Sequence, residues 1–295
     1  MCSDARILGL PCWNGAVEIA PLSGGMTNLN FLVRDGSARF VVRLGEDLPQ
    51  HGVMRFNELA AARAAYAAGL SPEVVYAEEG VMVSRFIEGR TLTASDLREA
   101  RNLPAVVELV QRCHRDIPKH LRGPALMFWV FQVLRGYCSL LGDTPDHLLR
   151  GELPRLVALA AQLEATLGAV EIVFGHNDLL AANFLDDGKR LWLIDWDYAG
   201  FNSPLFDLAN LSANNAFEPE QEQHLLALYF GVAPNAQRLR AFAAMKCASL
   251  LREVLWGAVS HHTSRIDFDF AAYTAKWLEQ LDLFRQHSFA PASRL

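Results

Sequence analysis

Three oxygen-bearing side chains lie close together in the sequence, and their types suit one kind of chemistry. Residues 176–183 read HNDLLAAN, which contains Asp178 and Asn183, and Asp195 follows twelve residues after Asn183. Phosphoryl transfer needs a carboxylate that orients the acceptor hydroxyl and takes its proton, together with oxygen ligands for magnesium. Magnesium accepts a carboxylate and an amide without a full protein cage. Singly, each residue is typical of a solvated turn, but the joint spacing predicts Asp178 as base and Asn183 and Asp195 as metal ligands.

The first part of the chain carries candidates for holding phosphates. Gly24 and Gly25 stand between two strand-like segments. A loop without Cβ atoms lets backbone N–H groups face a phosphate, although a Gly-Gly pair alone is more typical of a plain hairpin. No lysine precedes Lys119, so the cation must be an arginine, and Arg43 lies on a predicted strand. Glu58, on the next helix, is the candidate ion-pair partner, with a solvated helix carboxylate as the alternative.

The residue pattern changes from strand-like to helical near residues 84–90. We predict one early helix at 54–68 and strands at 17–20, 30–33, 39–44, 73–77 and 81–86. Later helices are predicted at 95–115, 126–141, 153–167, 220–230, 236–262 and 271–287, with strand-like segments at 172–174 and 191–195. The pattern predicts an α+β protein with a small β-rich lobe over 1–88 and a larger, mainly helical lobe over 89–295.

Composition excludes several classes of protein. The chain has 295 residues and a formal net charge of −6, so it lacks the positive field that attracts nucleic acid or anionic membranes. Its five cysteines are scattered without CxxC spacing, which predicts reduced thiols and neither a disulfide framework nor a zinc site. We see no signal-peptide pattern and no long apolar run, so we expect a soluble, cytoplasmic protein.

The HxDxxxxN segment, followed by IDWDYA at residues 194–199, resembles the choline/ethanolamine kinase family, within the aminoglycoside-phosphotransferase and protein-kinase-like group. The segment LSGGMTN, which ends at Asn28, is similar to the entry motif of that family and adds Asn28 to the nucleotide-binding candidates. The resemblance implies a two-lobed protein-kinase-like fold with a small antiparallel N-lobe sheet. It also implies ATP and Mg²⁺ as cofactors, His176 as the residue that orients the loop, and Asp207 as the residue that pins it.

By the same resemblance, the acceptor pocket lies in the last helices and next to Asp178. Trp256, Phe268 and Tyr273 match the aromatic positions that surround a quaternary ammonium, and core packing is the alternative. A desolvated cation over such a ring gains on the order of 2 kcal/mol. The sequence departs from the family at two places: Val259 stands where eukaryotic relatives have a second Trp, and Asn214 falls about where they have a Glu. Choline is therefore not singled out.

Together these features predict an ATP-dependent kinase that phosphorylates the hydroxyl of a cationic amino alcohol. Choline and ethanolamine are the first candidates, and thiamine, an aminoglycoside or a sugar are the alternatives. A catalytically silent nucleotide-binding module would lack a catalytic carboxylate, and none of the expected ones is missing. A protein kinase is disfavoured because eleven residues between Asp195 and Asp207 are too few for a substrate-binding activation segment. A homodimer is left open.

Overall fold

The computed structural model describes residues 3–22 and 28–288. Its strands are β1 Val17–Leu22, β2 Leu29–Asp35, β3 Ala38–Leu44, β4 Val74–Glu78, β5 Val81–Arg85, β6 Arg90–Thr91, β7 Val173–Gly175, β8 Phe184–Asp186, β9 Leu191–Leu193 and β10 Gly200–Asn202. Its α-helices are α1 Ser3–Leu8, α2 Arg55–Ala67, α3 Ala94–Arg98, α4 Leu103–His120, α5 Val130–Gly142, α6 Leu153–Ala165, α7 Pro204–Asn214, α8 Pro219–Phe230, α9 Ala236–Thr263 and α10 Phe270–Ser288. Short 3₁₀ turns cover Pro49–His51 and Ala181–Asn183.

The first five strands form one antiparallel sheet in the order β1-β2-β3-β5-β4. Gly36 joins β2 to β3 with a φ of 59°, a left-handed conformation that glycine adopts without strain. Val33, Val42 and Val83 point to the buried face of the sheet, where Ile7 of α1 packs against them. The predicted early strands are confirmed, and α1 was not predicted.

Helix α2 belongs by its packing to the larger, helical part of the molecule. Its alanines at 61 and 65 are fully buried in the same core as α4, because small side chains allow the two helices to approach closely. The helix sits between β3 and β4 in sequence but shares its buried face with later helices. The boundary between residues 88 and 89 therefore stays a prediction.

The helical part is built around α9. Most of its residues from Ala241 to Ser260 are buried, and α5, α7 and α10 pack against it. A Cβ atom at Gly257 would lie 2.6 Å from the Thr274 hydroxyl, so glycine is needed where α9 and α10 cross. Two small antiparallel sheets, β7–β10 and β6–β8–β9, stand beside these helices and carry the loops discussed below.

The sequence-based helices were right except in two places. The single helix predicted at 95–115 is wrong, because a capping box at Thr93 starts the short α3 and Pro104 opens a separate helix, α4. The helix predicted at 126–141 begins only at Val130, since Met127 bridges to Phe201 of β10. Helix α7 and the short strands β6, β8 and β10 were not predicted.

Across residues 3–22 and 28–288, no helix combines the length and the apolar character that crossing a bilayer requires.

Candidate active site

The loop after β7 is held by one buried carboxylate. Asp207, at the start of α7, is 1% exposed and accepts hydrogen bonds from the backbone N–H groups of His176 (2.8 Å) and Asn177 (2.6 Å). It also bonds to the Nε2 atom of His114 at 2.8 Å. Burial opposes ionisation of Asp207, but these contacts outweigh it and keep its pKa below the ordinary value. Asp207 thus touches the loop that it was expected to pin.

Two further side chains of this region fix the same loop. The amide oxygen of Asn210 accepts from Leu179 N–H at 2.6 Å, and that of Asn215 accepts from Ala181 N–H at 3.1 Å. His176 donates from Nε2 to the Ile194 carbonyl at 2.9 Å, which ties the loop to the end of β9. The sequence analysis missed the two asparagines because they lie more than thirty residues along the chain from their partners.

Asp178 is presented by this loop, next to an arginine of α9. Its Oδ1 atom accepts a hydrogen bond from Arg252 Nη1 at 3.3 Å, and its side chain is 17% exposed. Burial raises the pKa of Asp178 from its ordinary value to about 7, with the Glu253 and Asp195 carboxylates adding to the rise and Arg252 opposing it. A carboxylate that titrates near neutrality suits proton transfer.

Arg252 and Glu253 were missed by the sequence analysis. Arg252 is buried, lies 4.3 Å from the ring of Tyr198, and donates to Glu253 Oε1 at 2.9 Å. Glu253 accepts from the hydroxyl of Tyr273 through Oε2 at 2.6 Å. The available signal was a pair of adjacent charges in the mostly apolar stretch 247–259 of α9, since charged residues are rarely fully buried unless they are paired.

The two predicted metal ligands lie at one wall of a cleft. Asn183 donates from Nδ2 to the Asp178 carbonyl at 2.9 Å, which leaves its amide oxygen as the end that can bind a cation. The Asn183 carbonyl in turn accepts from Ile194 N–H at 3.0 Å, so Asp195 follows directly. Asp195 has a φ of 71°, unusual for a residue with a Cβ atom and typical of functional sites. One carboxylate and one amide oxygen fit Mg²⁺.

The predicted pair of Arg43 and Glu58 is formed. Arg43 Nη1 donates to Glu58 at 2.6 Å, to Asp195 at 2.8 Å and to Asp197 at 3.0 Å. Burial alone would lower the pKa of Arg43, but the three carboxylates raise it well above its ordinary value. Arg43 therefore remains charged at the mouth of the cleft and connects the sheet to the segment after β9.

Arg55 and Asp197 enlarge this group, and neither was predicted. Arg55 Nη1 donates to Glu58 at 2.5 Å and to Asp197 at 2.9 Å. Asn28, a nucleotide-binding candidate, donates from Nδ2 to Asp197 at 2.9 Å. The signals available were the i,i+3 spacing of Arg55 and Glu58 and the second aspartate of the IDWD segment. The candidates Gly24 and Gly25 lie outside the described residues.

The cleft itself lies between the five-stranded sheet and the loops of the helical part. Its volume is about 400 Å³. Arg43, Asn183 and Asp195 line its charged end, and the remaining wall includes apolar side chains such as Val41, Val74, Met82, Phe86, Ile87 and Ile194. An apolar slot that ends at charged groups can hold a nucleobase at one end and phosphates at the other.

The three predicted aromatic positions lie together but form a packed cluster. The rings of Trp256 and Tyr273 are 5.5 Å apart, and those of Phe268 and Tyr273 are 5.8 Å apart. Trp256 is 5% exposed and donates from its indole N–H to the Tyr198 hydroxyl at 2.8 Å, whereas Phe268 is 42% exposed. The core-packing alternative therefore describes Trp256 well.

The two departures from the family pattern are both placed by the structure. Val259 is 2% exposed, on the buried side of α9. Asn214 ends α7, and both polar atoms of its side chain are buried without a hydrogen-bond partner among the described residues.

Comparisons with known proteins identify the family of this chain. The family described as choline/ethanolamine kinase matches residues 19–243. Protein LicA of Haemophilus influenzae is 30% identical over 263 residues, which cover 87% of this chain and 76% of the relative. A probable ethanolamine kinase of Arabidopsis thaliana is 26% identical over 287 residues, with 87% of this chain and 76% of the relative covered.

Solved structures extend the comparison to the fold. A choline/ethanolamine kinase family protein of Mesorhizobium loti superimposes with a TM-score of 0.77 at 28% identity, covering 98% of this chain and 96% of that one. The GDP and kanamycin complex of APH(2″)-IIia, at 16% identity, shares the fold with a TM-score of 0.68 over 94% of this chain and 96% of that one. The predicted α+β kinase-like fold and the predicted resemblance are confirmed: the chain belongs to the choline/ethanolamine kinase family and is a phosphotransferase that uses ATP and Mg²⁺.

Proposed function

We propose that this protein transfers the γ-phosphoryl group of ATP to the hydroxyl of a small amino alcohol, with choline and ethanolamine as the first candidates. The observation that carries the proposal is the position of Asp178. Its carboxylate has a pKa raised to about 7 and accepts a hydrogen bond from the buried Arg252, while the Asn183 side chain donates to the backbone carbonyl of Asp178. Such a group can orient a hydroxyl and accept its proton as the oxygen attacks phosphorus.

On the nucleotide side, Arg43 and Arg55 supply the positive charge that steadies the phosphates. Glu58 positions both guanidinium groups, since it accepts a hydrogen bond from each of them. Asn183 and Asp195 would hold magnesium, which when bound neutralises charge on the phosphate oxygens. In this proposal, the transferred phosphoryl group lies between the metal ligands and Asp178.

His176 serves as a positioning residue in this proposal. Its Nε2 atom donates to the Ile194 carbonyl and its Nδ1 atom accepts from the Asp178 N–H at 3.3 Å, so both ring nitrogens are engaged. Burial lowers its pKa, which keeps the ring neutral. Asp207 supports the same loop through its backbone contacts. The predicted cytoplasmic location and the homodimer remain predictions.

A panel of acceptors tests the proposal. ADP release would be measured with Mg-ATP and choline, ethanolamine, thiamine, kanamycin or a simple sugar, because the fold shared with the kanamycin complex makes an aminoglycoside the second candidate. We expect kcat/KM for the better amino alcohol to exceed that for every other class by at least about tenfold. Hydrogen bonds between the site and its substrate discriminate against molecules that cannot form them by this factor or more. Turnover with kanamycin, thiamine or the sugar alone would contradict the proposal.

A further inference from the structure

One nitrogen atom of Arg252 connects two carboxylates of the acceptor region. Its Nη1 donates to Asp178 Oδ1 at 3.3 Å and to Glu253 Oε1 at 2.9 Å, so the two oxygens lie at most about 6 Å apart. The Asp178 side chain is 17% exposed and that of Glu253 is 10% exposed. Neither side chain is completely closed off from solvent.

The charges of this group do not balance. Two carboxylates face one guanidinium, and the third contact, the Tyr273 hydroxyl that donates to Glu253, is neutral. His51, which lies against Trp256 on the same side, has its pKa lowered to about 4 by burial and adds no charge at neutral pH. A buried surplus of negative charge is costly until a cation joins it. A monocationic acceptor completes the group.

The aromatic rings near Asp178 are already in contact with a cation of the protein itself, Arg252. The Arg252 guanidinium lies 4.3 Å from the Tyr198 ring and 5.6 Å from the Phe128 ring. Trp256 is nearly buried, and its indole N–H is bonded to Tyr198. A quaternary ammonium depends on free aromatic faces because it has no N–H to donate. The carboxylate of Glu253 offers a hydrogen bond instead.

We infer that Glu253 accepts a hydrogen bond from the ammonium of the acceptor, so that the preferred substrate is an amino alcohol with at least one N–H. This rests on the proposed function, since it takes the acceptor hydroxyl to lie on Asp178. Three covalent bonds of about 1.5 Å separate the oxygen from the nitrogen in such a molecule. With charged hydrogen bonds of about 2.8 Å at each end, it spans the distance between the two carboxylates. Glu253 then sets specificity by hydrogen bonding.

A methylation series tests the inference on the unaltered enzyme. The kcat/KM would be measured for ethanolamine, N-methylethanolamine, N,N-dimethylethanolamine and choline. We expect the steepest step, about tenfold or more, between the dimethyl compound and choline, where the last N–H is lost. Equal or better use of choline would overturn the inference and leave the proposed function standing. Failure of all four, with turnover of a sugar or kanamycin, would overturn the proposed function itself.

Substitutions test whether Glu253 is the residue responsible for the preference for an N–H. Glu253→Gln should lower kcat/KM for ethanolamine about 10- to 100-fold, the loss expected for a charged hydrogen bond, and change that for choline less than about threefold. Tyr273→Phe keeps the ring and the carboxylate, so it should retain the preference. Glu220→Gln, exposed on α8, is the matched control. A folded Glu253→Gln enzyme with the original preference would refute the role of Glu253. If that variant fails to fold, as thermal unfolding would show, the methylation series decides alone.

Discussion

Two buried charge clusters flank the catalytic loop, and each has one carboxylate more than it has arginines. The phosphate cluster contains two arginines and three carboxylates: Arg43, Arg55, Glu58, Asp195 and Asp197. The acceptor cluster contains one arginine and two carboxylates: Arg252, Asp178 and Glu253. In both clusters, every arginine donates from a single guanidinium nitrogen to more than one carboxylate.

The clusters differ in what their surplus charge can attract. In the phosphate cluster, Asp195 stands beside the amide of Asn183 at a cleft wall, which is the oxygen set that a divalent ion takes. In the acceptor cluster, the rings of Tyr198 and Phe128 cover the arginine, and the two carboxylates accept hydrogen bonds from the same guanidinium nitrogen. In our proposal, a shared guanidinium with a surplus carboxylate binds an inorganic ion in the phosphate cluster and an organic cation in the acceptor cluster.

The largest effect is expected from replacing the catalytic base, Asp178, which should impair turnover without weakening ATP binding. Asp178→Asn removes proton acceptance but keeps the side-chain shape, so kcat should fall about 10²- to 10⁴-fold. ATP affinity, measured by fluorescence titration, should stay within about threefold because the phosphate cluster is intact. Wild-type turnover in this variant would show that Asp178 is not the base.

A substitution in the phosphate cluster should lower kcat/KM for ATP. Arg43→Met removes the guanidinium that contacts three carboxylates, and kcat/KM for ATP should fall about 100-fold, the size expected for a lost electrostatic donor. Arg34→Met, on the exposed face of β2, is the control. Steady-state kinetics at saturating acceptor measure the change. A loss no larger than that of the control would rule out a phosphate role for Arg43.

The pH dependence of kcat/KM for the acceptor should follow the ionisation of Asp178 in the acceptor cluster. Because burial raises the pKa of Asp178 to about 7, the carboxylate gains a proton as pH falls through 7 and loses its capacity to act as base. The kcat/KM for the acceptor should therefore fall about tenfold per pH unit well below 7. The folded pKa lies above the ordinary value, so this group stabilises the fold at acidic pH, and that contribution disappears as pH rises through 7. A flat profile from pH 5.5 to 7.5 would contradict this assignment.

The smallest expected effect concerns the exposed ring of the aromatic cluster. Phe268→Ala should change kcat/KM for choline and ethanolamine by less than about threefold, because Phe268 is 42% exposed and packs mainly on Phe270 and Tyr273. The same kinetic assay measures both acceptors. A tenfold loss of kcat/KM confined to choline would support an aromatic cage around the ammonium and would weaken the case for Glu253.

The sequence located the parts of the site that are local in the chain. Asp178 and Asn183 belong to one turn, and Asp195 follows the next hairpin, so spacing alone could bring them together. Arg43 and Glu58 were identified because the early chain has no lysine and one helix follows β3. The structure brings each of these residues to the predicted neighbourhood.

The parts that sequence reasoning missed depend on contacts between distant segments. Arg252 lies 74 residues from Asp178 along the chain, and His114 lies 93 residues from Asp207. No periodicity marks such pairs, because a buried ion pair is specified by how helices pack. Helix α7 was missed for a related reason, since the carboxylate and amides of its interior are turned toward the catalytic loop instead of solvent.

The most direct test of the central claim is the identity of the phosphorylated atom. The protein would be incubated with Mg-ATP and ethanolamine, and the product followed by ³¹P NMR, with Asp178→Asn as the comparison. We predict one phosphomonoester signal, on the hydroxyl oxygen, that grows in step with ADP and is reduced at least about 100-fold in its rate in the variant. Release of inorganic phosphate without a phosphomonoester from ethanolamine, choline or their N-methyl intermediates would contradict the account.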